Sequence, residues 1–335
     1  LTLATATNAQ TTPTFSRIVV FGDSLSDVGN LRHRMEENGV SYPGGEFNYS
    51  DGRLTNSRDT DPASDQYFGV WHEQLAHLFL KLPTSAPSLD GGNDFAFSGA
   101  TTERGTRDYS IIDVFGLGVT VTIDNMGRQV NDYLAKRTVD PAALFAVWGG
   151  GNDLFDDHSS SNVTAAAGRM AMMISSLANA GARHFLVPNV PPLGGLPRYA
   201  NDPEAKDAMN SKSALYRAEL DASLDSVTST LAAQGIKIEI DRLDVWSLFV
   251  RFVSDPKRYG FTDMMTLPKA RPSTPTSIFS GMTYTQLRRA TIKSLERQTV
   301  HSQAQQCRLG ARSTSPHVPP SRWRKCLSGR LHHHG

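Results

Sequence analysis

The sequence predicts an α/β fold, with a central parallel sheet of about five strands covered by helices on both faces. Three observations predict it. Short apolar, β-branched runs alternate with longer segments of helical periodicity, and parallel strands need such crossovers. Each apolar run ends in Gly-rich or polar residues, the place where open α/β sheets collect their ligands. A chain of 335 residues with 39% hydrophobic and 20% charged residues can build one large core.

In chain order, the predicted strands lie in 16–24 (SRIVVFGDS), 93–100 (NDFAFSGA), 143–153 (ALFAVWGGGND), 182–192 (ARHFLVPNVPP) and 236–242 (IKIEIDR). Three helices are predicted between them. The segment 66–81 is apolar and helical in pattern, and 161–180 opens on a Ser/Asn cap. In 203–234, Leu220, Leu224, Val227 and Leu231 share one face and Gly235 supplies the stop. The stretch 38–65, rich in Gly, Asn, Ser and Asp, reads as a long loop able to wall a cleft.

Charge divides the chain. Twelve Lys/Arg and one acid, Glu296, follow residue 266, which leaves 22 basic and 32 acidic residues before it. The acidic body therefore carries a basic tail, but aromatic residues are too sparse there for nucleic-acid stacking, so no nucleic-acid partner is expected. No run of 18 apolar residues occurs, which argues against membrane insertion. Residues 1–15 read as a signal remnant and linker, with small residues at Thr7 and Ala9, so a secreted or periplasmic location is expected. Cys307 and Cys326 both fall in the tail and leave a cysteine-free body. The expected division is 1–15 signal remnant and linker, 16–266 main domain and 267–335 atypical basic tail.

Three strand ends carry chemistry. In VVFGDSLSDVGN, Ser24 follows a buried strand at a sharp turn, where its hydroxyl can reach a carbonyl. In DFAFSGATT, Gly99 lacks a side chain, so its N–H can approach a ligand closely. In WGGGNDLFDD, Asn152 stands behind three glycines, and its amide can donate to a developing oxyanion. His72 and His77, on the apolar helix, read as packing or surface residues. No phosphate loop, zinc spacing or dinucleotide fingerprint appears.

Together these stretches resemble the GDSL family of lipolytic enzymes, also called SGNH hydrolases. The resemblance extends to DGRLTNSR at 51–58, VWHEQLA at 70–76, FLVPNVPPLGGLPRY at 185–199 and RYGFTD at 258–263. It implies a three-layer α/β/α flavodoxin-like fold and a carboxylic ester hydrolase. Ser24 would be the nucleophile, with its own N–H, the Gly99 N–H and the Asn152 side chain as oxyanion hole. The resemblance implies no metal or organic cofactor. Short acyl esters are the expected substrates, with lysophospholipid or acetylated polysaccharide as rivals. Ser98 departs from the pattern, since many members carry a second Gly there.

A serine needs a base, and the family supplies it from a late Asp-x-x-His. Here YGFTD is followed by nothing of that kind. Regrouping the codons permitted by residues 280–291, SGMTYTQLRRAT, allows Trp-Asp-Asp-(Ile/Leu/Val)-His-Pro-Thr-Ala-Thr-Gly-His, and the single Met codon forces one Asp. A reading-frame change near 264–270 is therefore expected. Three outcomes follow from it. A substitute base from His301, His317 or His158 is one, and weak catalysis or mere ligand binding without a base is another. The third is an intact enzyme encoded in the other frame.

Overall fold

The computed structural model describes residues 15–40, 52–53, 69–112 and 118–259. All of them belong to the first of two units into which the chain divides, Leu1–Arg288. The expected tail 267–335 and most of the loop 38–65 lie outside the described residues.

In chain order the elements are β1 (Ile18–Gly22), α1 (Asn30–Glu37), α2 (Trp71–Gln74, continued by a π-helical turn Leu75–Leu80), β2 (Thr106–Ile112), β3 (Gly118–Asp124), α3 (Met126–Lys136) and β4 (Leu144–Trp148). Then come α4 (Gly151–Asp156), α5 (Ser160–Asn179), β5 (His184–Pro188), α6 (Pro203–Ala233), β6 (Glu239–Leu243) and α7 (Val245–Ser254). Four strands form a parallel ladder in the order β1-β4-β5-β6. All five residues of β1 and all five of β4 are buried, as continuous apolar strands covered on both faces must be.

The fifth expected strand is present as an extended edge. The Val20 N–H donates to Asn93 O, while Phe95 N–H and Phe97 N–H donate to Val20 O and Gly22 O. Counting this segment, the spatial order in chain sequence is 2-1-3-4-5, the flavodoxin-like arrangement. Its outer side is occupied by Asn30, whose amide donates to Asp94 O (2.8 Å) and Ala96 O (2.9 Å). A side chain thus takes the hydrogen bonds that another strand would have made, which closes the edge.

Helix boundaries follow local chemistry. Helix α5 opens at Ser159, whose hydroxyl accepts the Asn162 N–H at 3.3 Å, close to the expected Ser/Asn cap. Helix α6 buries Leu220, Leu224, Val227 and Leu231 as expected. It ends in a Schellman motif: Gly235 takes φ +80°, its N–H donates to Ala232 O, and Ile236 N–H donates to Leu231 O. That motif uses Gly235 and Ile236, so the last strand starts at Glu239, three residues later than periodicity suggests. The antiparallel hairpin β2–β3, α1, α3 and α7 carry no signal strong enough to be read beforehand. Among the described residues, no helix is long and apolar enough to cross a membrane.

Candidate active site

The rim of the sheet is where the three motifs meet. Gly22 and Trp148 are register partners on neighbouring strands, and Gly22 O also accepts from Phe97. Neighbouring strands lie ~4.8 Å apart. Ser24 therefore stands two residues beyond the middle of three adjacent strand ends, with Gly99 two residues beyond the second. Asn152 is not on a strand end, as sequence suggests, but is the second residue of α4. Gly150, at φ +103°, turns the chain out of β4 and into that helix; a Cβ there would strike the Tyr216 ring at 2.3 Å.

Hydrogen bonds tie the three segments together. The Asn152 amide donates to Ala100 O at 2.8 Å, next to Gly99. Ser98 donates from both its N–H (2.7 Å) and its hydroxyl (2.9 Å) to Asp27, three residues beyond Ser24. The residue that departs from the family pattern thus joins two motifs. Asp27 also accepts from the N–H groups of Gly29, Asn30 and Leu31, fixing the start of α1. On α3, Gln129 accepts from Gly22 N–H and donates to Gly22 O, both at 3.0 Å, which anchors the strand end before Ser24.

The turn around Ser24 is densely hydrogen-bonded. Ser26 N–H and Asp27 N–H donate to Asp23 O, and Leu25 N–H donates to the Asp23 carboxyl. Trp71 donates to the Ser26 hydroxyl at 3.1 Å. His72 is fully buried, with Nε2 2.8 Å from Ser26 O, so it packs under the turn as expected of a structural histidine. Burial lowers its pKa and keeps it neutral.

Two donors stand out by exclusion. From Leu25 to Leu31 every backbone N–H has an acceptor, as do those of Ser98, Ala100, Thr101 and Thr102. Among the described residues, the N–H groups of Ser24 and Gly99 donate to none. Gly99 takes φ +86°, and the Tyr109 ring lies 2.3 Å from where its Cβ would be, so position 99 admits no side chain. Sequence reasoning expected a ligand to need that space; a neighbouring ring already uses it.

Buried acids surround the turn. Burial pushes Asp23 from its ordinary 3.8 up to about 7, the Leu25 N–H opposes the rise, and the Asp153 charge adds to it. Burial likewise raises Asp27 and Asp94. Between pH 4 and 7 the folded protein keeps an Asp23 proton that the unfolded chain has lost. Stability contributed by this group therefore falls as pH rises through that window and levels off above it. The melting temperature should be higher at pH 5 than at pH 8, and Asp23→Asn should flatten the difference. An unaltered slope in that variant would assign the pH dependence to other groups.

The described histidines sit elsewhere. His33 pairs with Asp90 at 2.8 Å, and His184 pairs with Glu239 at 3.2 Å at the opposite, N-terminal end of its strand. His158 is exposed just beyond α4. Among the described residues none is hydrogen-bonded to the Ser24 hydroxyl, and no cluster of His, Cys, Asp and Glu is able to hold a metal. His301 and His317 lie outside the described residues.

Residues 18–267 match the family model of GDSL-like lipase/acylhydrolase. A phosphatidylcholine-sterol acyltransferase of Aeromonas hydrophila is 28% identical over 267 residues, covering 78% of this chain and 68% of the relative. A GDSL esterase/lipase of Arabidopsis thaliana is 28% identical over 281 residues, covering 72% and 71%. Among solved structures, a lipolytic G-D-S-L family member from Veillonella parvula aligns with a TM-score of 0.39 at 12% identity, covering 84% of this chain and 98% of its own. An acetyl-xylooligosaccharide esterase from Geobacillus Stearmophilus aligns with a TM-score of 0.41 at 11% identity, covering 84% and 96%.

Proposed function

The chain belongs to the GDSL-like lipase/acylhydrolase family, a hydrolase of the esterase/lipase kind, and on that premise we propose that Ser24 is its nucleophile. The Ser24 hydroxyl attacks the ester carbonyl, and the alcohol leaves to give an acyl-enzyme that water then cleaves. The carbonyl oxygen, negative in the tetrahedral intermediate, is held by Ser24 N–H, Gly99 N–H and the Asn152 amide. The observation that carries this reading is the pair of N–H groups without acceptors on adjacent strand ends, with the Asn152 amide bonded to Ala100 O, the residue after Gly99. The Asn152 bond to Ala100 O uses one of its two amide hydrogens and leaves the other for the oxyanion.

In an intact frame the general base would come from beyond Tyr259, where the shifted frame permits Asp-x-x-His. The hydrolase domain accordingly runs from about residue 16 to 266, and in the chain as written its closing block is missing. This favours a second reading, in which the same cleft binds esters without turning them over. We take secretion, from the character of residues 1–15, as part of the first reading.

Short acyl chains are the proposed substrates. The test is turnover of aryl esters from acetyl to decanoyl, together with covalent labelling of Ser24 by a fluorophosphonate. Rates that fall with chain length support the proposal. Rates that rise with length, or hydrolysis of lysophospholipid alone, would move the substrate toward lipid, as the name of the Aeromonas relative suggests. Absence of both turnover and labelling would favour the binding reading.

A further inference from the structure

Arg169, in the middle of α5, has no place in the chemistry described so far, yet its charge is paired with the carboxylate of Asp153, the residue after Asn152. Its Nε donates to the Thr102 hydroxyl at 2.8 Å, and its Nη2 donates to Asp153 Oδ1 at 2.9 Å and Asn162 Oδ1 at 3.3 Å. Thr102 in turn donates its N–H to both Asp153 oxygens, at 3.0 and 3.2 Å, and its hydroxyl to Oδ1 at 2.6 Å. Asn162 closes the ring by donating to Asp153 O at 3.1 Å. The Asp153 side chain is 1% exposed and that of Arg169 18%, so solvent screens this pair little.

The two residues so clamped are neighbours of the proposed donors. Asp153 directly follows Asn152, and Thr102 stands three residues after Gly99. We propose that Arg169 is a positioning residue for the oxyanion hole, fixing the spacing between Gly99 N–H and the Asn152 amide through Thr102 and Asp153. This rests on the reading of Ser24, Gly99 and Asn152 given above. The physical reason lies in Asp153. A buried carboxylate deprived of its cation is strongly unfavourable, and it relaxes by moving toward water or taking up a proton. Either change loosens Thr102 and, with it, the carbonyl of Ala100 on which Asn152 rests. Arg169 spans α5, α4 and the 98–102 segment, three elements that no backbone hydrogen bond joins at this point.

The test uses the full chain with Arg169→Ala, Arg169→Gln and Arg169→Lys, each alone and combined with Asn152→Ala. Two quantities are read: the rate constant for Ser24 labelling by a fluorophosphonate, and hydrogen exchange at the Thr102 amide against the amides of β5. Loss of one whole oxyanion donor costs about 10²- to 10³-fold, so Arg169→Ala, which only displaces donors, should cost about ten-fold. Lys, which keeps the charge but loses the planar fork, should recover part of the loss. In the Asn152→Ala background the Arg169 variants should cost nothing more, because groups acting as a unit are not additive. Thr102 should exchange about ten-fold faster while β5 is unchanged.

Losses that add in the double variants, or faster exchange in β5 as well, would assign Arg169 to general stability and overturn the proposal. Unaltered labelling and exchange would do the same. Should the parent chain fail to label, the exchange measurement decides alone. If Ser24→Ala and Asn152→Ala label as the parent does, the oxyanion-hole reading itself fails, an outcome separate from any result at Arg169.

Discussion

A chain with the reading frame restored across residues 280–291 is expected to turn over a short-chain aryl ester about 10²- to 10⁴-fold faster than the chain as written, the range that a positioned general base contributes. On the reading proposed above, the turn at Ser24 and its unpaired N–H groups are formed among the described residues, and the base is the part to be supplied. A serine hydroxyl without a base is a poor nucleophile even beside a formed oxyanion hole. The restored block supplies an Asp and a His three residues apart, and the carboxylate orients the imidazole toward the hydroxyl. Equal activity in the two chains would mean that another residue already acts as base, and would sink the frame-shift reading of the catalytic defect. Coding DNA read in all three frames across codons 258–295 checks the premise directly.

In that restored chain, Ser24→Ala should remove activity by a factor on the order of 10⁶ in kcat, as when one member of a cooperating triad is lost. In the chain as written the same substitution should cost far less if no base reaches Ser24, because the members of a triad act as a unit. The contrast between the two backgrounds is the decisive measurement. A large loss in both would show that a base reaches Ser24 in the present polypeptide. A negligible loss in both would move the nucleophile elsewhere. Melting temperature should change little in either case, since Ser24 is half-buried and its side chain makes no hydrogen bond among the described residues.

Much of this was legible in the sequence because it rests on local chemistry. Apolar runs such as IVVFG and LFAVW can satisfy their burial only in the middle of a covered sheet, and both lie there. The stripe Leu220, Leu224, Val227, Leu231 and the stop at Gly235 specify the end of α6 without help from other elements. The positions of Ser24 and Gly99 just past strand ends were readable for the same reason, whereas Asn152, expected on a strand end, lies in α4 because Gly150 turns the chain into a helix first.

Only the tertiary structure assigned partners to buried polar groups. Nothing local marks Gln129, 107 residues from Gly22, as the anchor of the strand that leads to Ser24, or Asn30 as the cover of the sheet edge. Ser98 reads as a departure from pattern until its two bonds to Asp27, 71 residues away, are seen. Arg169 and Asp153 are an ordinary pair of opposite charges in one dimension and a buried clamp in three. The physical reason is the same throughout. Periodicity encodes which face of an element is apolar, a property of neighbours in the chain. A hydrogen bond between distant segments depends on how those faces pack, and packing is decided only when the whole core closes.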